Sequence, residues 1–326
     1  MSKVVITQPL HKDGMAVLNA ANLETAVSNS GEPKEYLPFV KDADGLIIRI
    51  GHIDRATMEA CPNLKAIGRP GVGVDNVDVK AATELGIPVV IAPGANTRSV
   101  AECAFAMMFA AAKDMVRADK ELRKGNWAMR SEYKAYEIFG KTLGLIGYGH
   151  IGGILAELCK AVGMSIMVYD PFVKKEAVEE KGYTYCETIE PILVNADIIS
   201  VHVPLTDKTR NLIAKDELAK MKKTAILINC ARGGIINEQD LYNALKNNVI
   251  QYAALDVFDK EPVPADDPLL SLDNVIVYPH MAGQTKEAAS NVATMAAKGV
   301  AAIIAGEKWP YVCNPDVYKH PRWANK

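Results

Sequence analysis

The stretch Lys141-Thr-Leu-Gly-Leu-Ile146, followed by Gly147-Tyr-Gly-His-Ile-Gly152, decides the fold. Its first six residues read as a short buried strand, and Ile151, Leu155, Leu158 and Val162 then recur at helical spacing. Three glycines between a strand and a helix suit a phosphate-binding turn. Gly147 permits the tight turn, Gly149 lets the backbone approach a pyrophosphate, and Gly152 lets the helix pack closely on the strand. His150 and Ile151 complete this cofactor fingerprint, and the helix N-terminus supplies unpaired N–H groups and partial positive charge to the phosphates.

A second strand, Ser165-Ile-Met-Val-Tyr169, ends at Asp170, eighteen residues after Gly152. A carboxylate there accepts hydrogen bonds from both hydroxyls of the adenosine ribose and disfavours a 2′-phosphate. Lys174 and Lys175 lie nearby, but no arginine directly follows Asp170, so the pattern favours NAD over NADP.

Composition narrows the remaining classes. The 326 residues, 49% hydrophobic and 23% charged, are globular material long enough for two domains. A formal net charge of −2 and a pI near 6.3 give no basis for a non-specific nucleic-acid or anionic-membrane surface. The six cysteines, at 61, 103, 159, 186, 230 and 313, form no C-x-x-C pair, which suggests reduced thiols and neither a metal site nor a disulfide framework. The chain enters an apolar strand at Lys3-Val-Val-Ile6 with no signal-peptide pattern, which points to the cytoplasm. The longest uncharged helical run, Cys103 to Ala112, falls short of the about 20 residues needed to cross a bilayer.

Apolar runs alternate with helical patterns, as in an α/β fold whose parallel sheets carry helices on both faces. One set of strands lies near Val4, at Gly45–Ile48, Leu64–Ile67 and Pro88–Ile91; a second lies near Leu143, Ile166, Ile198, Ile226, Ala254 and Ile276. Ser99 to Lys124 reads as one long connecting helix, with Thr97 or Ser99 as its N-cap. The aromatic stretch Gly125 to Phe139, with Trp127, Tyr133 and Tyr136, reads either as an arm over a partner subunit or as a surface loop. Lys319 to Lys326 reads as a tail.

Three residues beyond the fingerprint suggest chemistry. Arg232 lies just past the strand Ala225–Ile228, at the carboxyl end where open α/β sheets bind ligands. Its guanidinium can hold a carboxylate in a fork and polarise an adjacent carbonyl. His280 follows the strand Asn274–Tyr278 and Pro279, and an imidazolium suits protonation of a developing alkoxide near neutral pH. Glu261 can accept a hydrogen bond from the other ring nitrogen and favour the charged imidazole. Spacing alone does not bring these residues together.

The chain resembles the D-isomer-specific 2-hydroxyacid dehydrogenases, most closely the short-form phosphoglycerate dehydrogenases among them. The likeness runs through Gly68–Asp78, Asn96–Glu102, the glycine fingerprint, His202–Thr206, Asn229–Gly233, Leu255–Phe258 with Glu261-Pro262, and Pro279-His280, in matching order. It implies two doubly wound parallel-sheet domains: a Rossmann NAD domain over 99–285 and a discontinuous flavodoxin-like substrate domain from 1–98 and 286–326. It also implies hinge closure between them and a homodimer joined through the region of Trp127. By the same resemblance Arg232 binds the substrate carboxylate and carbonyl, His280 is the acid/base and Glu261 its partner. Val72 and Gly73 offer backbone N–H groups to that carboxylate. Asp256 contacts the nicotinamide carboxamide, while Val203, Pro204, Cys230 and Ala231 line the cofactor. Arg49 and Arg69 match positions that gather charge for a distal phosphate, so the resemblance implies 3-phosphoglycerate or a similar doubly anionic acid.

There are departures. Pro70 replaces a small residue and stiffens its loop, Cys230 stands where a hydroxyl residue is common, and no regulatory domain follows the core, so serine feedback through one is not expected. Two other readings share the pattern. One is a dehydrogenase for another 2-hydroxy acid, such as sulfolactate, glycerate, glyoxylate or a branched-chain acid. The other is a non-catalytic NAD(H)-sensing protein like the corepressors of this fold. Formate dehydrogenase pairs its histidine with glutamine, and Glu261 argues against it.

Overall fold

The computed structural model describes residues 1–132 and 134–324. The chain divides into two compact units, one of Met1–Asn96 with the chain from Gln284 onward and one of Thr97–Gly283. Each break falls two residues before the one expected from sequence. Thr97 already opens the helix Thr97–Ala112, and Thr285 caps the helix Lys286–Ile304 by accepting the Ala288 N–H at 3.1 Å.

The first unit holds β1 (Lys3–Ile6), β2 (Glu24–Val27), β3 (Gly45–Ile47), β4 (Ala66–Gly68) and β5 (Val89–Val90). They pair in parallel in the order β2-β1-β3-β4-β5. Strands covered on both faces become continuous apolar runs, and β3, β4 and β5 are buried throughout. The edge strand β2, Glu-Thr-Ala-Val with both ends exposed, lacks that signature, and the sequence reading missed it. Val300 and Ile303 of the helix Lys286–Ile304 join Val4, Ile6, Ile47 and Ala66 in one core cluster, so the late segment completes the early sheet. The expected tail is docked through Trp323: this residue is 4% exposed and its indole N–H donates to the Gly86 carbonyl at 3.0 Å. Asn325 and Lys326 lie outside the described residues.

The second unit holds β6 (Thr142–Ile146), β7 (Ser165–Tyr169), β8 (Thr184–Tyr185), β9 (Ile198–Val201), β10 (Ile226–Asn229), β11 (Tyr252–Leu255) and β12 (Val275–Val277). Their parallel order is β12-β11-β10-β9-β6-β7-β8. The order reverses direction between β6 and β9, the switch point at which such sheets bind ligands. After the fingerprint the helix His150–Ala161 buries Gly152, Leu155, Ala156 and Cys159. Cys159 packs against Met108, and of the stripe read from sequence Leu155 is buried while Ile151 and Val162 pack, partly buried, against the same core.

The expected single helix from Ser99 to Lys124 is two, Thr97–Ala112 and Met115–Arg123. Asp114 interrupts it with φ +54°, and its nearly buried carboxylate pairs with Arg117. The left-handed backbone costs roughly 1 kcal/mol for a non-glycine residue, and aspartate tolerates it better than most. Beyond it Trp127–Ser131 forms a 3₁₀ turn, with Trp127 66% exposed, while Tyr133 lies outside the described residues. Among the described residues no helix is long and apolar enough to cross a membrane.

Candidate active site and cofactor cradle

The fingerprint sits at the switch point of the second sheet. Gly147 follows β6 with φ +99°, and a Cβ there would run into the His202 carbonyl at the end of β9. A Cβ on Gly152 would lie 2.5 Å from the Gly147 carbonyl, so only glycine lets the helix start this close to the turn. Gly149 differs: a Cβ there would have nothing within 4 Å. It caps the helix without a side-chain bond, leaving open space in front of the helix N-terminus where an anion is favoured.

Asp170 binds this turn from the side. Its Oδ2 accepts the Tyr148 N–H and its Oδ1 the Phe172 N–H, each at 2.8 Å. One lone-pair direction on each oxygen remains, matching two ribose hydroxyls. Lys175 is engaged with Glu179 at 3.7 Å. An open approach at Gly149, a bare helix N-terminus and a two-sided acceptor at Asp170 fit a dinucleotide.

His202 Nε2 lies 2.9 Å from Ser200 Oγ, while Nδ1 is buried with no hydrogen-bond partner among the described residues. Burial lowers the imidazole pKa to about 4, so the ring is neutral at physiological pH. The Cys230 thiol donates to Met107 Sδ at 3.7 Å, and the neighbouring Cys103 thiol together with burial pushes its pKa well up, keeping it protonated.

β10, β11 and β12 are neighbours, and the loops beyond their carboxyl ends carry Arg232, Asp256, Glu261 and His280. At the end of β10, Asn229 is 2% exposed. Its side chain accepts the Ala231 N–H at 3.0 Å and donates to the Arg232 carbonyl at 2.8 Å, closing the turn that presents Arg232. The Arg232 guanidinium donates to the Ala231 carbonyl at 2.6 Å. His280 Nδ1 lies 2.7 Å from Glu261 Oε2, and the other Glu261 oxygen accepts the Phe258 N–H at 3.1 Å.

Hydrogen bonding to Glu261 raises the His280 pKa above its ordinary 6.5, against the opposing effects of burial and Arg232. Burial works against the Glu261 charge, yet the bonds from His280 and Phe258 hold its carboxyl below the usual range. Nδ1 is committed to the carboxylate, so Nε2 is the nitrogen that can give or take a proton. His280 has φ +53°. Asp256, 1% exposed, holds that turn: its carboxylate accepts the N–H of Met281 at 2.7 Å and of Ala282 at 3.1 Å.

This is an imidazole oriented by a carboxylate, with a guanidinium acting on both electrostatically and a dinucleotide cradle on the same sheet. The chain belongs to the D-isomer specific 2-hydroxyacid dehydrogenases. Residues 105–282 match the family described as D-isomer specific 2-hydroxyacid dehydrogenase, NAD binding domain. The chain is 46% identical over 315 residues to a D-3-phosphoglycerate dehydrogenase of Methanocaldococcus jannaschii, covering 96% of this chain and 60% of that one. It is 41% identical over 290 residues to a glyoxylate reductase of Korarchaeum cryptofilum, covering 88% of this chain and 87% of that one. The solved D-lactate dehydrogenase with NAD+ from Lactobacillus jensenii superposes with a TM-score of 0.80 at 29% identity, covering 95% of this chain and 99% of that one. The chain spans 60% and 58% of the lengths of the first two phosphoglycerate dehydrogenases it matches.

Within this family member, the residues expected from sequence to meet a substrate lie in the first unit. Arg49 and Arg69 follow β3 and β4, neighbours with Ile47 opposite Gly68. Arg49 is exposed, and Gln8, just beyond β1, accepts its backbone N–H at 3.1 Å. The Arg69 guanidinium donates to Asn76 and to the Pro70 carbonyl, each at 3.2 Å. Val72 is 49% exposed and Gly73 half-buried. The sequence reading gave Asn229 and Ser200 no role. Their signal is a polar residue inside an apolar strand run, which a buried hydrogen bond requires.

Proposed function

We propose that the protein is an NAD-dependent oxidoreductase interconverting a small D-2-hydroxy acid and its 2-oxo acid. The observation that carries this reading is the 2.7 Å contact between His280 Nδ1 and Glu261, with Arg232 acting on both groups. When bound, the cofactor supplies or accepts the hydride. In the reductive direction His280 gives the proton on Nε2 to the carbonyl oxygen as negative charge develops there. Glu261 stabilises the imidazolium that makes the donation possible. Arg232 holds the substrate carboxylate and polarises the carbonyl.

We assign Gly147, Gly149, His150, Ile151, Gly152, Asp170, Val203, Pro204, Cys230, Ala231 and Asp256 to cofactor binding. Val72 and Gly73 are assigned to the substrate carboxylate, and Arg49 and Arg69 to a second anionic group. This makes 3-phosphoglycerate or a related dianion the proposed substrate, supported by the D-3-phosphoglycerate dehydrogenases among the relatives. A homodimer is proposed on the exposed Met115, Val116, Leu122 and Trp127, and a reducing cytoplasm suits the six free thiols.

The test is NADH oxidation against 3-phosphohydroxypyruvate, 3-sulfopyruvate, hydroxypyruvate, glyoxylate and branched 2-oxo acids. Preference for a dianion supports the Arg49 and Arg69 assignment. Preference for an uncharged side chain keeps the dehydrogenase and removes that assignment. Tight NADH binding without turnover of any acid would replace the enzyme by a sensor.

A further inference from the structure

We propose that Glu238 is a positioning residue for the acid/base pair, pinning the turn that presents Glu261 to His280. The proposal rests on the dehydrogenase reading for its consequence in turnover, and on geometry alone for its effect on His280. Glu238 is the first residue of the helix Glu238–Lys246, and its Oε1 accepts the Asp259 N–H at 2.7 Å. The preceding N–H, of Phe258, goes to Glu261 at 3.1 Å. Two consecutive N–H groups of one turn therefore bind two carboxylates, one beside the chemistry and one behind it.

The turn is held from a second direction as well. A Cβ on Gly233 would run into the Phe258 carbonyl, so the loop that carries Arg232 lies directly against it. The Asp259 carboxylate lies beside Gly234 of that same loop, 3.5 Å from where a Cβ there would sit, and the Gly234 backbone favours its charged form. Without the Glu238 acceptor, the Asp259 N–H loses its partner and the turn one of its attachments.

The anchor survives changes in charge. Glu238 is half-buried, and it faces Asp259, Asp267 and Glu261 from the loop after β11, with Arg210 acting on Asp259. Burial and then these charges push its carboxyl up to about 7. Protonated or ionised, it keeps an oxygen for the Asp259 N–H. An amide does the same, while a thioether of equal length does not. His280 itself is faced by Glu261, Asp256 and Arg232.

The experiment compares Glu238→Gln with Glu238→Met in the full chain. The first measurement is an NMR titration of the histidine ring signals without cofactor, with His280→Asn assigning the His280 resonance among six histidines. The second is kcat and KM for the preferred 2-oxo acid with NADH. Glu238→Met should move the His280 midpoint down toward 6.5 and lower kcat about tenfold, with KM changed less than about twofold. Glu238→Gln should keep both near wild type. Wild-type midpoint and kcat in a folded Glu238→Met protein would overturn the proposal. So would a Glu238→Gln protein as impaired as Glu238→Met, because the effect would then belong to charge. If Glu238→Met does not fold, Glu238→Ala carries the same expectations. If wild type turns over no 2-oxo acid the functional reading fails, and the titration still decides the proposal.

Discussion

At His280 one hydrogen bond sets both orientation and charge. The Glu261 contact raises the imidazole pKa above 6.5, so the imidazolium persists to higher pH than in a free histidine. Reduction needs that protonated form, so kcat/KM for the oxo acid should fall as pH rises through the raised pKa, while oxidation of the hydroxy acid should rise across the same window. Glu261→Gln removes the charge that favours the imidazolium, and pH–rate profiles should show the reductive limb displaced downward toward 6.5. An undisplaced limb would mean that another group titrates. Arg232→Ala should lose about 10²-fold or more in turnover while NADH affinity changes far less, since the Asn229 side chain closes the turn that carries Ala231 whether or not the guanidinium is present. A matching loss of NADH affinity would move Arg232 into the cofactor site.

At the scale of the element, the fingerprint turn separates two uses of glycine that sequence alone presents as alike. Gly152 serves packing: a methyl group 2.5 Å from the Gly147 carbonyl must push the helix off the strand. Gly152→Ala should lower stability by about 1–3 kcal/mol in denaturant unfolding. Gly149 has φ −79° and open space at its Cβ, so Gly149→Ala should leave the unfolding midpoint unchanged and weaken NADH binding by calorimetry. Equal loss of stability in both variants would remove the ligand-facing reading of Gly149.

For the whole molecule, the two sheets follow from a repeated unit of apolar strand and amphipathic helix, with strand orders that reverse at β1/β3 and β6/β9. The chain crosses from the first unit to the second and returns, because the helix Lys286–Ile304 carries apolar residues that complete the first core. Exposed Met115, Val116, Leu122 and Trp127 lie on the second unit, and the proposed dimer rests on them. Trp127→Glu should shift the mass in light scattering from dimer to monomer. A monomeric wild type, or a dimeric variant, would place the subunit contact elsewhere or remove it.

The sequence by itself determined the α/β class and the glycine turn, and it pointed to Asp170, Arg232, Glu261 and His280. These are local properties: a buried parallel strand must be apolar along its length, and a turn with left-handed backbone selects glycine. Edge strands such as β2 and the break at Asp114 escaped it, because one is only half covered and the other depends on a salt bridge that propensity does not encode. Only the tertiary structure decided which groups act together. Arg232, Glu261 and His280 are separated by 29 and 19 residues along the chain. Glu261 and His280 meet, and Arg232 comes within electrostatic reach of both, because β10, β11 and β12 are neighbours in one parallel sheet, whose strands all end on the same side. Asn229, Asp256 and Glu238 matter through backbone N–H groups they satisfy across loops, and such partners are chosen by packing, which no spacing along the chain records.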